Sequence, residues 1–136
     1  MLEELTLWLQ TFPKWEGVLQ IDYADSVPGN TGLYPRGLTE LSSREDVLGR
    51  RKSRLSWTFA LRKAALGGQK DAQWLMDLQN WVMEQDRLGL APKFGDEPDS
   101  ERIRAFEGKL DRHNQVGSTF YTVQLTVEFT KIFEVK

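Results

Sequence analysis

Between Ser118 and Lys136 the chain alternates. Tyr121, Val123, Leu125, Val127, Phe129, Phe133 and Val135 share one parity, while Thr122, Gln124, Thr126, Glu128, Thr130 and Glu134 hold the other. A period of two over that length predicts a strand with one buried face and one wet face. Leu55, Trp57, Phe59 and Leu61 alternate with Arg54, Ser56, Thr58, Ala60 and Arg62, predicting a second half-buried strand that Gly67-Gly68 ends. Leu19, Ile21 and Tyr23 mark a short strand, and Leu38 to Val47 reads as another that runs into a charged turn at Ser43-Arg44-Glu45-Asp46. From Arg102 to Arg112 the parity changes: Ile103 and Ala105 agree, Phe106 and Leu110 do not, and a bulge near Gly108 reconciles them. His113 to Gly117 is the turn that folds this strand back onto the last one.

Two stretches carry helical spacing instead. Leu2, Leu5, Leu9 and Phe12 recur at that spacing, with Glu3 and Glu4 in the first turn, where the helix dipole favours acids, and Pro13 as the stop. Trp74, Leu75, Leu78, Trp81, Val82 and Leu88 define a second amphipathic helix, with Asp71 as its N-cap and Gly89 just past its end. Residues 25–37 and 91–100 are rich in Pro and Gly and are expected to be irregular loops. The expected order is α-β-β-β-α-β-β. It describes a single α+β domain over 1–136, with a mostly antiparallel or mixed sheet of about five strands covered by two helices.

Composition narrows the function classes. A chain of 136 residues with 40% hydrophobic content, five Trp and seven Phe is expected to fold around one core. The net charge of −2 offers no whole-chain case for nucleic acid, and no direct sequence-specific binding to it is expected. The absence of Cys removes disulfides and thiol chemistry. An acidic N-terminus is unlike a secretory signal, and no stretch has the roughly eighteen to twenty apolar residues of a membrane span. The expectation is a soluble, cytoplasmic protein without membrane contact.

Little in the sequence points to catalysis. His113 is the one histidine and sits in a turn signal; no nucleophile motif accompanies it. Asp96, Glu97 and Asp99 lack the alternation of a calcium loop, and Gly29, Gly32 and Gly37 fit neither a phosphate loop nor a dinucleotide fingerprint. No cofactor and no metal are expected, and no enzyme. Trp57, Phe59, Trp74 and Trp81 lie on the apolar side of their elements and are assigned to the core. The candidate interface consists of Leu33 and Tyr34 in the 25–37 loop and of a basic group, Arg50, Lys52, Arg54 and Arg62, set opposite the apolar parity. Such a group suits a solvated face, a neighbouring subunit's acids or phosphate.

The segments Trp8 to Gly17, Leu19 to Tyr23, Pro28 to Leu41, Trp81 to Gln85, Pro92 to Asp96 and Tyr121 to Lys131 resemble small structural proteins of prophages and long-tailed phages of Gram-positive bacteria. Together they span most of the chain, and none is a catalytic signature. The element order is similar to that of the phage tail terminator, or tail-completion, family. That resemblance implies a non-enzymatic virion component that assembles in the bacterial cytoplasm as a homo-oligomeric ring, possibly a hexamer. Its partners would be the tail tube protein and the head connector. Minor capsid and head-completion proteins are the neighbouring alternatives. A small enzyme or ligand-binding module using the 25–37 loop, with Asp22, Asp25 and Tyr34, is the alternative from a different class.

Overall fold

The computed structural model describes residues 2–22, 29–65, 69–97, 100–112 and 119–134. In chain order its elements are helix α1 (Leu2–Leu9), strands β1 (Leu19–Ile21), β2 (Thr31–Glu45) and β3 (Arg51–Ala64), helix α2 (Gln69–Arg87), and strands β4 (Arg102–Arg112) and β5 (Thr119–Phe133). The strands form one five-stranded sheet in the order β1-β2-β3-β5-β4. β1 runs parallel to β2, and the other neighbouring pairs are antiparallel. The protein is an α+β domain of two helices on a mixed sheet, in the order the sequence predicts.

Residues opposite one another in a sheet share a face, so the register sorts the side chains. Leu33, Leu61 and Val123 form one row across the sheet; Phe59, Leu125 and Ala105 form the next, and Trp57, Val127 and Ile103 a third. Onto these rows α1 lays Leu5 and Leu9, and α2 lays Trp74, Leu75, Leu78 and Val82, all in one hydrophobic cluster. Phe12 joins it just beyond α1. Two of the indoles at the helix layer donate hydrogen bonds: Trp8 Nε1 to Leu90 O and Trp74 Nε1 to Lys14 O, each at 2.8 Å. Both helices therefore cover the same face.

Three sequence expectations need correction. The irregular loop expected over 25–37 gives way at Thr31 to β2, and Thr31, Gly32 and Leu33 are buried. Pro35 and Gly37 are absorbed at a register shift, where the ladder is interrupted anyway. The turn expected at 43–46 lies further on, because β2 pairs with β3 as far as Glu45 opposite Arg51. Asp71 is no N-cap: α2 already begins at Gln69, and Asp71 is 1% exposed in its first turn. The far end of α2 is as expected, with Gly89 at φ +72 in the left-handed conformation that lets the chain leave the helix. The bulge in β4 is present too, as a register shift between Phe106 and Lys109 with Glu107 at φ +55. Residues 23–28 and 113–118 lie outside the described residues, as do Gly67 and Gly68.

Asp86 fastens α2 to β4. Its carboxylate accepts from Arg102 Nε and NH2 at 2.9 and 2.8 Å and from the Ile103 N–H at 2.9 Å. The Arg102 guanidinium holds the Asp86 carboxyl below its ordinary range, with the Ile103 amide adding to the effect against partial burial. A depressed pKa means stability that is full above the unfolded value, about 3.9, and is lost as pH falls through the folded value. Asp86→Asn is expected to cost about 2 kcal/mol at pH 7, the scale of hydrogen bonds to a charged group. Urea midpoints at pH 6 and pH 3 should show a smaller acid-induced loss in the variant than in the parent chain.

Candidate functional site

No described helix lies over the second face of the sheet. Its rows read Gly32, Arg62, Thr122; Tyr34, Ala60, Gln124, Phe106; Thr58, Thr126, Arg104; and Ser56, Glu128, Arg102. Arg54 with Thr130 and Lys52 with Ile132 continue it toward the β2–β3 hairpin. Hydroxyls and guanidinium groups dominate. Thr58 and Thr126 bring their Oγ1 atoms within 3.5 Å, and Arg54 NH1 donates to Thr130 Oγ1 at 3.2 Å. The Arg62 guanidinium stands 4.6 Å from the centre of the Phe120 ring, which is why an apolar residue on this side is only 8% exposed. Because β3 and β5 are central strands whose other side is core, their polar parity has nowhere to point but here.

The six candidate interface residues do not form one site. Leu33 is fully buried and belongs to the core, so it is unavailable for contact. Its alternation with Gly32 and Tyr34 is that of a strand, a signal masked by the surrounding Pro and Gly. Tyr34 is half-buried, opposite Ala60, whose small side chain leaves it room on the bare face. Arg50 is not on the strand stripe but in the hairpin turn, with Nε 2.7 Å from Asp46 Oδ2. Lys52, Arg54 and Arg62 do lie on the bare face, as their parity predicts. Lys52 Nζ sits 2.6 Å from Glu97 Oε1 and holds that carboxyl below its ordinary range. Together with Arg44, Lys52 and Arg54 border a small polar pocket of about 280 Å³ that Glu97 and Thr130 complete.

Of the carboxylates considered for chemistry, Asp96 and Glu97 have structural duties. Asp96 Oδ2 accepts from Ile132 N at 2.9 Å, and its own N–H donates to Thr130 O at 2.8 Å. Residues 95–97 thus run along the β5 edge beyond the point where β4 stops, closing backbone groups that would otherwise be open. Gly95 is required there, since a Cβ would come within 2.7 Å of Thr130 O. Asp22 is exposed just after β1; Asp25, Asp99 and His113 lie outside the described residues. Among the described residues no three of His, Asp or Glu are grouped to hold a metal ion. No helix among them is long and apolar enough to cross a membrane.

Other residues emerge only in three dimensions. Lys63 shares the parity of Leu61 and enters the core, 2% exposed, with Nζ 4.0 Å from the Trp74 ring centre and 3.7 Å from Glu16 Oε2. Burial drives its pKa down, while Glu16 and Asp71 work to raise it. Val47 and Leu48, at the hairpin tip, are 101% and 71% exposed. Along β2 the outer edge from Tyr34 to Glu45 has no strand partner among the described residues, since β1 pairs only with Thr31–Leu33. Pro35 and the register shifts at Pro35/Gly37 and Glu40/Ser42 blunt that edge. Among protein-family models none matches this chain, and no curated protein matches it either.

Proposed function

We propose that this chain is a non-enzymatic assembly subunit, a phage or prophage tail terminator that caps the tail tube and supports head-tail joining as a closed ring. The observation that carries the reading is the bare sheet face: strands of 14 and 15 residues at the centre of the sheet, with helices on one side only. The side chains at its centre are short and only 7–8% exposed at Ser56, Thr122, Thr126 and Thr130, while exposed arginines and half-buried Gln124 and Tyr34 stand around them, a surface suited to a broad polar interface. The phage assignment itself rests on the resemblance of the segments from Trp8 to Lys131. The six-copy ring, the tail tube and head connector as partners, and assembly in the bacterial cytoplasm rest on it too. Minor capsid and head-completion roles would use the same kind of surface. A ligand module built on residues 25–37 has less support, because Thr31 to Gly37 lie in a strand and Leu33 is core.

Complementation of a deletion phage, scored by infectious titre and tail length, tests the reading. Lys52→Glu with Arg54→Glu reverses charge on the bare face without touching the core. It should lower titre about a hundredfold or more, because like-charge contacts across an interface cost several kcal/mol and each 1.4 kcal/mol is a factor of ten. His113→Ala, and Asp22→Asn with Asp25→Asn, should leave titre and tail length close to the parent. Loss of titre in those variants with the folded ring intact would mean that a chemical site exists and that the assembly reading is wrong.

A further inference from the structure

The polar pocket on the bare face is made by two adjacent rows of the sheet. Arg44 stands opposite Lys52, and Ser42 opposite Arg54, which has Thr130 of β5 on its other side. Two guanidinium groups, an ammonium and two hydroxyls therefore border one space of about 280 Å³. Lys52 and Arg54 are half-buried, and Arg54 NH1 is already held by Thr130 Oγ1 at 3.2 Å, so both lose little freedom when they take a ligand.

One carboxylate lines the pocket with them. Glu97 reaches over β5 from the segment along that strand's edge, and its Oε1 accepts from Lys52 Nζ at 2.6 Å. Its carboxyl is held below its ordinary range first by that hydrogen bond and then by the charges of Lys52, Arg44 and Arg54, against desolvation. All three bases thus act on one anion position. The charges around the pocket are matched elsewhere: Arg50 by Asp46, Arg51 by Glu40 and Lys131 by Asp96, while Glu128, further along the face, stands opposite Arg102. The pocket itself sets three bases against one acid, net +2. A second carboxylate would leave one positive charge over. A phosphate monoester carries about −1.5 to −2 charges at neutral pH and offers three strong acceptor oxygens, to which guanidinium forks are matched in shape.

We propose that this pocket binds a dianionic phosphate, free or as a monoester, through Arg44, Lys52, Arg54 and the hydroxyls of Ser42 and Thr130, and that Glu97 is the internal anion it displaces from Lys52. The site does not depend on the assembly reading. Binding is measured on the isolated chain, so its failure leaves that reading standing.

Calorimetric titration of the full chain at neutral pH and fixed ionic strength, with inorganic phosphate and with glycerol 3-phosphate, tests the site. Each should bind once per chain; tighter binding of the ester would identify an organic phosphate as the source, and equal binding the free ion. Arg44→Ala with Arg54→Ala should weaken binding about tenfold or more, the effect of losing hydrogen bonds to a charged group. Glu97→Gln should tighten it, because the competing anion is gone while the bases remain. Arg51→Ala removes the same charge from the opposite face of the hairpin, where Arg51 pairs with Glu40, and should leave the affinity unchanged. Thermal unfolding confirms that each variant is folded. No saturable binding of either phosphate, weaker binding in Glu97→Gln, or an equal loss in Arg51→Ala overturns the proposal. Acetate or duplex DNA bound at this pocket as tightly as phosphate, and lost in the Arg44 and Arg54 double variant, overturns the choice of a dianion.

Discussion

Phe59→Ala is expected to lower the free energy of unfolding by about 3–5 kcal/mol, the range for removing a large aromatic from a core. Phe59 is 1% exposed at the middle of β3, between Pro35 of β2 and Leu125 of β5, with its ring centre 6.0 Å from that of Trp57. The strands on both sides are held at ladder spacing, so the sheet cannot close in on the space that truncation leaves. A domain of ordinary stability has about 5–15 kcal/mol in total, and the variant should remain foldable but marginal. Denaturant unfolding measures the loss; a value under about 1 kcal/mol would mean that the ring is not packed. Trp81→Ala should fall toward the lower end of the same range. Its ring centre lies 4.6 Å from that of Trp8 and 5.3 Å from that of Phe12 in tilted contacts, but it remains half-buried.

The second large effect is expected at Gly17. It adopts φ +71, and a Cβ there would lie 2.4 Å from Gly29 O and 2.7 Å from Asn30 Oδ1. The crowding has a purpose. Asn30 Oδ1 accepts from Val18 N at 2.9 Å, while Asn30 O accepts from Ala64 N at 2.9 Å, so this one residue ties the approach to β1 to the end of β3. Gly17→Ala adds left-handed strain of about 1–2 kcal/mol to an overpacking cost of about 1–3 kcal/mol. Gly89→Ala provides the control. Its φ is +72, but nothing lies within 4 Å of the added carbon, so the strain should appear alone. The difference between the two variants in thermal or urea unfolding isolates the close approach; equal losses would count against it.

Where a face was fully committed, alternation sufficed to place an element. β3 and β5 are legible because each has core on one side and a polar surface on the other. α2 is legible because Trp74, Leu75, Leu78 and Val82 keep one stripe and Gly89 marks its end. The parity change in β4 marks the bulge by itself. β2 was legible only in its second half. Its first residues are Thr31, Gly32, Leu33, Tyr34 and Pro35, and composition there outweighed a three-residue alternation. For the interface, parity placed Lys52, Arg54 and Arg62 correctly, but it carried Arg50 along with them although Asp46 holds it in the turn. Val47 was placed at the end of a strand, whereas the structure puts it in the hairpin turn, fully exposed.

Element type, element order and the sorting of side chains into apolar and polar faces were determined by the sequence alone, since each depends on spacing within one segment. Tertiary structure decided which edge each strand shares, the parallel pairing of β1 with β2, and the placing of both helices on one face. It also decided that Leu33 is core and that Lys63 is buried against Trp74. These outcomes depend on register between segments distant in sequence, and no local pattern encodes which partner will complete a strand or a helix face.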